Sequence, residues 1–177
     1  MLDERKIFYD NINDFIKEKP NSYGKTLGNF LEYAFPKDIE KIGLKAIFVD
    51  SHVDFIINGK RFQNKKVPEL HYDKNGKLTQ GYCPKRKKVI FRIEKVGKGG
   101  KGNMMTRLYS FSELDYVVFG NHRIPNLSDW IVIPILDLRP HQKYKEHIAR
   151  DQRFNIHDLE KYDYKKVLSD YEGFHLN

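Results

Sequence analysis

Along the first forty residues, apolar positions recur at helical spacing. Ile7, Phe8, Ile12, Phe15 and Ile16 fall on one side of a segment stopped by Lys19-Pro20, which predicts an amphipathic helix over residues 3–18. After the turn Asn21-Ser22-Tyr23-Gly24, a second helix is expected from about Lys25 to Phe35, with a short helical turn at Pro36-Lys37-Asp38. From Gly43 the period changes to two. Leu44 to Val49 reads as a strand and Asp50-Ser51 as a kink. Two runs rich in β-branched and aromatic residues then flank Asn58-Gly59, a strong hairpin signal. Val67-Pro68 ends the second run, because proline cannot serve a central ladder. A turn at Asp73–Lys77, strands at Lys88–Glu94, Glu113–Phe119 and Trp130–Leu136, and a helix near Asp158–Tyr171 complete the pattern. This order describes a single α/β (α+β) domain over residues 1–177, with a central mixed sheet flanked by helices and a C-terminal helical extension from about residue 141.

The hairpin organises the rest. With Asn58-Gly59 as a two-residue turn, Ile57 faces Lys60, Phe55 faces Phe62 and Asp54 lies opposite Gln63. Side chains alternate along a strand, so His52, Asp54 and Ile56 share a face with Arg61, Gln63 and Lys65. Val53, Phe55, Ile57 and Phe62 point the other way, into a core. A carboxylate, a carboxamide and a lysine are thereby gathered on one patch.

Composition narrows the partners. Hydrophobic residues make up 40% and aromatics 14%, enough for a folded core. The net charge of +8 and pI of about 9.4 favour a polyanion, nucleic acid ahead of an anionic membrane surface. A lone cysteine, Cys83, permits no internal disulfide. Without an eighteen-residue apolar run or a signal-peptide core, the expectation is a soluble intracellular protein. Seven histidines show no zinc spacing, no serine or cysteine sits in a nucleophile elbow, and Gly97-Lys98-Gly99-Gly100-Lys101-Gly102 lacks the Gly-Lys-Ser/Thr of a phosphate loop. Natural phosphate contacts are Lys85, Arg86, Lys87 and Lys88 and the loop lysines Lys98 and Lys101, with Arg107 and Arg123 able to reach base edges.

A carboxylate on one strand, then a hairpin and an (Asp/Glu)-x-Lys triplet on the next, resembles the PD-(D/E)XK nuclease superfamily. Gln63-Asn64-Lys65 is similar to the Gln-x-Lys variant of some cyanobacterial-type intron-encoded homing endonucleases, although Val53 stands where the motif nominally has proline. Glu32 matches the glutamate that the family often places on the helix before the first strand. Tyr109–Phe119 and Trp130–Ile135 resemble the later strands of that branch, so the likeness spans Tyr23 to Leu138.

The resemblance implies a restriction-endonuclease-like fold and a sequence-specific cut in double-stranded DNA that depends on Mg²⁺, with Mn²⁺ substituting. A homodimer or higher homo-oligomer is implied, in the cytoplasm (nucleoid-associated) or an organelle. Asp54 would bind the metal, joined by the Gln63 carboxamide oxygen, the Asn64 backbone carbonyl and Glu32, while Lys65 orients the attacking water or neutralises the phosphate. Gln63 in place of glutamate removes one negative charge, so metal affinity should be weaker and depend more on Glu32. Four rivals stand beside this reading. One is a junction-resolvase-like nuclease, and another is a non-catalytic binder that stacks bases on Tyr72, Tyr82, Phe91 and Tyr109. The others are an interaction subunit with a decayed site and an ordinary solvated hairpin face.

Overall fold

The computed structural model describes residues 23–49, 53–95 and 107–169. The helix expected over 3–18, His52, Lys98 and Lys101 lie outside them. In chain order the elements are helix α1 (Tyr23–Glu40), strands β1 (Ala46–Phe48), β2 (Phe55–Ile57), β3 (Lys60–Lys66), β4 (His71–Tyr72), β5 (Leu78–Cys83), β6 (Lys88–Arg92), β7 (Tyr116–Gly120), β8 (Trp130–Pro134) and β9 (Asp151–Asn155), and helix α2 (Tyr164–Ser169).

Leu27, Leu31, Phe35 and Ile39 recur every fourth residue on α1 and are each at most 1% exposed, so the helix is held by one apolar stripe. It runs through Pro36 instead of ending at Phe35. Proline has no N–H to give the Glu32 carbonyl, a loss of about 3 kcal/mol in an isolated helix. Tertiary contacts beyond it hold the last turn: Ile39 is buried, and the Asp38 carboxylate accepts a 2.6 Å hydrogen bond from the Trp130 indole.

The hairpin forms in the expected register, pairing Phe55 with Phe62 and Ile57 with Lys60. Asn58 and Gly59 both have positive φ (46° and 75°), as the tight turn requires. Strands β1, β2 and β3 form an antiparallel meander. Beyond it β7 lies parallel to β3 and β8 antiparallel to β7, giving a five-stranded mixed sheet in the order β1-β2-β3-β7-β8.

A second sheet, β4-β5-β6-β9, packs on the opposite face of the first from the helices. One core joins α1 and α2 to Phe55, Phe62, Val118 and Trp130. The other joins Val117, Phe119 and Ile133 to Val89 and Phe91, with the Phe91 and Phe119 rings stacked at 4.0 Å. The fold is α+β in three layers. The expected mixed sheet is present, but its helices cover one face only, because Val89 and Phe91 of β6, flanked by Tyr82 and Phe154, supply the other cover.

The C-terminal extension is not purely helical. Residues 151–155 form β9, whose Asp-Gln-Arg-Phe-Asn sequence carries no hydrophobic alternation, and a 3₁₀ segment (Ile156–Tyr162) precedes α2. Leu159 and Tyr162 are buried in the chain's own core. No helix among the described residues is long and apolar enough to cross a membrane.

Where α1 crosses the sheet, Gly120 makes room for it. A Cβ added there would stand 2.4 Å from the Leu31 Cδ2 atom. Gly120→Ala should therefore destabilise the fold by about 1–3 kcal/mol, the usual range for overpacking. A urea midpoint equal to that of the parent would show that the helix does not press on β7.

Candidate active site

The site forms where strand β2 begins. Asp54 is not inside a strand as expected: it occupies a bend one residue before β2. Its backbone N–H still extends the ladder, donating to the Phe62 carbonyl at 3.0 Å. Two residues further along β3, the Asn64 N–H donates instead to the Asp54 carboxylate, Oδ2, at 2.6 Å. The same oxygen accepts Gln63 Nε2 at 2.5 Å. Asp54 and Gln63 thus lie together as the register implied. Because of the bend, Val53 packs against the core shared by the two sheets and not with Phe55 and Ile57 under α1.

Gln63 is only 6% exposed, so both ends of its carboxamide need partners. Nε2 is on Asp54, and Oε1 accepts the Tyr109 hydroxyl at 3.0 Å. Lys65, two residues on and on the same face of β3, has its ammonium 5.6 Å from the centre of the Tyr109 ring, and Lys95 stands 5.4 Å from it. Lys95 in turn pairs with Glu113 at 2.6 Å.

Asn64 points to the other face. Its Nδ2 donates to the Leu31 carbonyl at 2.9 Å, tying β3 to the helix one residue before Glu32. Glu32 itself is exposed on α1. It feels the charges of both Asp54 and Lys65, which places it at the rim of the same site.

Electrostatics here are strained in a consistent sense. Burial raises the Asp54 carboxyl above its ordinary value, against the opposing pull of the Asn64 N–H, Lys65 and Gln63. Glu32 is raised by burial first and by the negative charge of Asp54 second. Burial lowers Lys65, while Asp54, Glu32 and Glu94 pull it back up. The Tyr109 phenol is raised by burial and by Asp54, so it remains a proton donor.

These side chains offer hard oxygens of the kind that suit Mg²⁺. The donors are the carboxylates of Asp54 and Glu32, the Asn64 backbone carbonyl and, after a half-turn of its amide, Gln63 Oε1. That half-turn lets Nε2 donate to the Tyr109 hydroxyl oxygen and sets Oε1 against Asp54 Oδ2, two acceptors that would need a cation as their common partner. Only two of these donors are charged, and among the described residues no three His, Cys, Asp or Glu side chains form a metal-holding group.

The remaining candidates scatter. Lys85, Arg86 and Lys87 form the turn before β6, and Lys88 begins that strand. Arg92, at the other end of β6, lines a hollow with Lys65, and the strand's rise puts the two ends about 13 Å apart. Arg107 is exposed and lies 3.6 Å from Glu94. Arg123 stacks its polar contacts on His122 and Glu69. Of the four proposed stacking aromatics, Phe91 and Tyr109 are buried and unavailable to bases, and the Tyr72 hydroxyl pairs with Cys83.

Sequence reading missed the roles of Tyr109, Glu94 and Lys95. Tyr109 lies 46 residues from Gln63, and the crossover that brings them together leaves no local spacing to detect. Comparison with protein-family models, curated proteins and solved structures returns no match.

The raised carboxyls fix a sign for pH dependence. A group that holds its proton more tightly in the folded state stabilises the fold as pH falls toward its unfolded value, 3.8 for Asp54. Raising the pH from mildly acidic to neutral should therefore favour Asp54→Asn over the parent in urea midpoint. A difference between the two that is constant with pH would show that Asp54 is not strained by burial.

Proposed function

We propose that this chain is a metal-dependent, sequence-specific DNA endonuclease of homing or restriction type, resembling the PD-(D/E)XK superfamily. The observation that carries the reading is the convergence of Glu32, Asp54, Gln63 and Lys65. They come from a helix, a bend and a strand, and they share one electrostatic environment. The helix–meander order and the mixed sheet agree with a restriction-endonuclease-like fold.

Each residue has a definite task in this account. Asp54 and Glu32 would hold the cation, with the Asn64 carbonyl and the Gln63 amide oxygen as further donors. Mg²⁺ or Mn²⁺, when bound, stabilises charge on the phosphoryl group and makes water more acidic. Lys65 touches the phosphate or the attacking water. Burial lowers its proton affinity, so it releases a proton more easily than an exposed lysine. Tyr109 orients the Gln63 amide through its hydroxyl, which burial and Asp54 hold in the protonated form. Cutting both strands calls for two such sites, hence a homodimer or higher oligomer, acting inside the cell where DNA is found.

Incubating plasmid and genomic DNA with the protein tests this directly. Discrete fragments should form with Mg²⁺ or Mn²⁺ and disappear with EDTA. Lys65→Ala should slow cutting on the order of 10²-fold or more, the scale of a lost proton-transfer group. Absence of metal-dependent cutting, with equal salt-sensitive binding by parent and variant, would leave a non-catalytic DNA-binding protein as the surviving reading.

A further inference from the structure

The cations nearest the candidate site are not those that form runs in the sequence. A cleft of about 710 Å³ opens between Glu94, just past β6, the loop 139–150 and β9. Glu94 also borders a hollow of about 410 Å³ that contains Lys65, and Arg92 links that hollow to a third of about 430 Å³. Arg150 and Arg153 line both the third hollow and the cleft. The three adjoin through these shared residues in a trough with Lys65 in one of its hollows. Nine lysines and arginines line it against four carboxylates, an excess that accounts for much of the chain's +8.

Three of these cations carry charge that the fold does not consume. The side chains of Lys145 and Arg153 make no hydrogen bond or ion pair with a described residue, although the Arg153 backbone pairs with Ile90. The Arg139 guanidinium donates to the Asp151 backbone carbonyl, at 2.8 Å, and pairs with no carboxylate of a described residue. The wall that carries them is held firmly. Gln152, 2% exposed, accepts the Arg139 N–H and donates to the carbonyls of Arg139 and Ala149, closing both ends of the loop. Pro140 and Ile148 bridge within it, and Ile148 is fully buried. A rigid scaffold therefore presents unneutralised guanidinium and ammonium groups beside the candidate chemistry.

We propose that this trough binds the sugar–phosphate backbone of the DNA, with Arg139, Lys145 and Arg153 on phosphates flanking the one at Lys65. The proposal rests on the nuclease reading for the identity of the polymer and for the direction in which the strand leaves the site. A single small anion would not need three joined hollows, whereas a chain of phosphates does. Each phosphate neutralised displaces a condensed counterion, so affinity should fall linearly with salt on logarithmic axes.

The test measures binding of a defined duplex across a salt series, in EDTA and in a Lys65→Ala background so that no cutting intervenes. Lys145→Ala/Arg153→Ala touches no described hydrogen bond and should fold like its parent. It should reduce the salt slope by about 0.9 for each phosphate left without its cation, about 1.8 for the pair. The charge-matched control Lys161→Ala/Lys165→Ala, which removes two exposed lysines outside the trough, should move the slope much less. Equal weakening in both variants means bulk charge alone and overturns the proposal. So does an unchanged slope in the trough variant, or no duplex binding by the protein at all. Cutting assays on the Lys65-intact proteins separate the two readings. Binding abolished in the trough variant without any cutting in the parent sinks the nuclease but keeps the trough. Unaltered binding and cutting by that variant does the reverse.

Discussion

The Asp54 carboxylate takes a place in the sheet that the backbone leaves open. Strand β3 continues past the point where the chain bends away from it, and the exposed ladder donor is the Asn64 N–H. An aspartate oxygen accepts it at 2.6 Å. This bond fixes where the acid stands, because it ties a side chain to the rigid spacing of a central strand. Gln63 and Lys65 follow from it, since both are carried by that strand and lie on one face of it. Asn64, between them, faces the other way and fastens the helix that carries Glu32. One short strand therefore sets the positions of all four groups.

The arrangement works against stability. Asp54 and Lys65 are brought close in a partly buried place with Glu32 at its rim, and each of the three is pushed toward its neutral form. A fold that needed only to be stable would fill this corner with apolar side chains. Ion pairing with Lys65 answers part of the demand, and a divalent cation would answer more, since it favours ionised carboxylates while leaving the lysine free to lose its proton. The trough of unneutralised arginines beside it extends the same logic outward: positive charge is held ready where a polyanion could satisfy it.

Much of this was legible in the chain. Asn58-Gly59 with alternating flanks located the hairpin and its register, and the register placed Asp54 beside Gln63. Hydrophobic spacing located α1, β6, β7 and β8. What escaped notice shares a cause. Strand β9 is held by backbone pairing with β6 and by a buried, satisfied Gln152, neither of which leaves a hydrophobic pattern. Pro36 suggested a helix end that burial of Ile39 overrides. Tyr109 reaches Gln63 only through the tertiary fold, and Arg139, Lys145 and Arg153 form a charged surface without forming a charged run. The lysine-rich turn at residues 85–88 drew attention because it is contiguous, yet it stands at the far end of β6 from Lys65.

The central claim is that Asp54 and Glu32 belong to one cation site, and metal binding in the absence of DNA tests it most directly. Calorimetric titration with Mn²⁺ should give a weak site in the parent that is abolished in both Asp54→Ala and Glu32→Ala, with all three proteins folded. Binding that survives unchanged in either variant would contradict the account, because that carboxylate would then stand near the site without taking part in it.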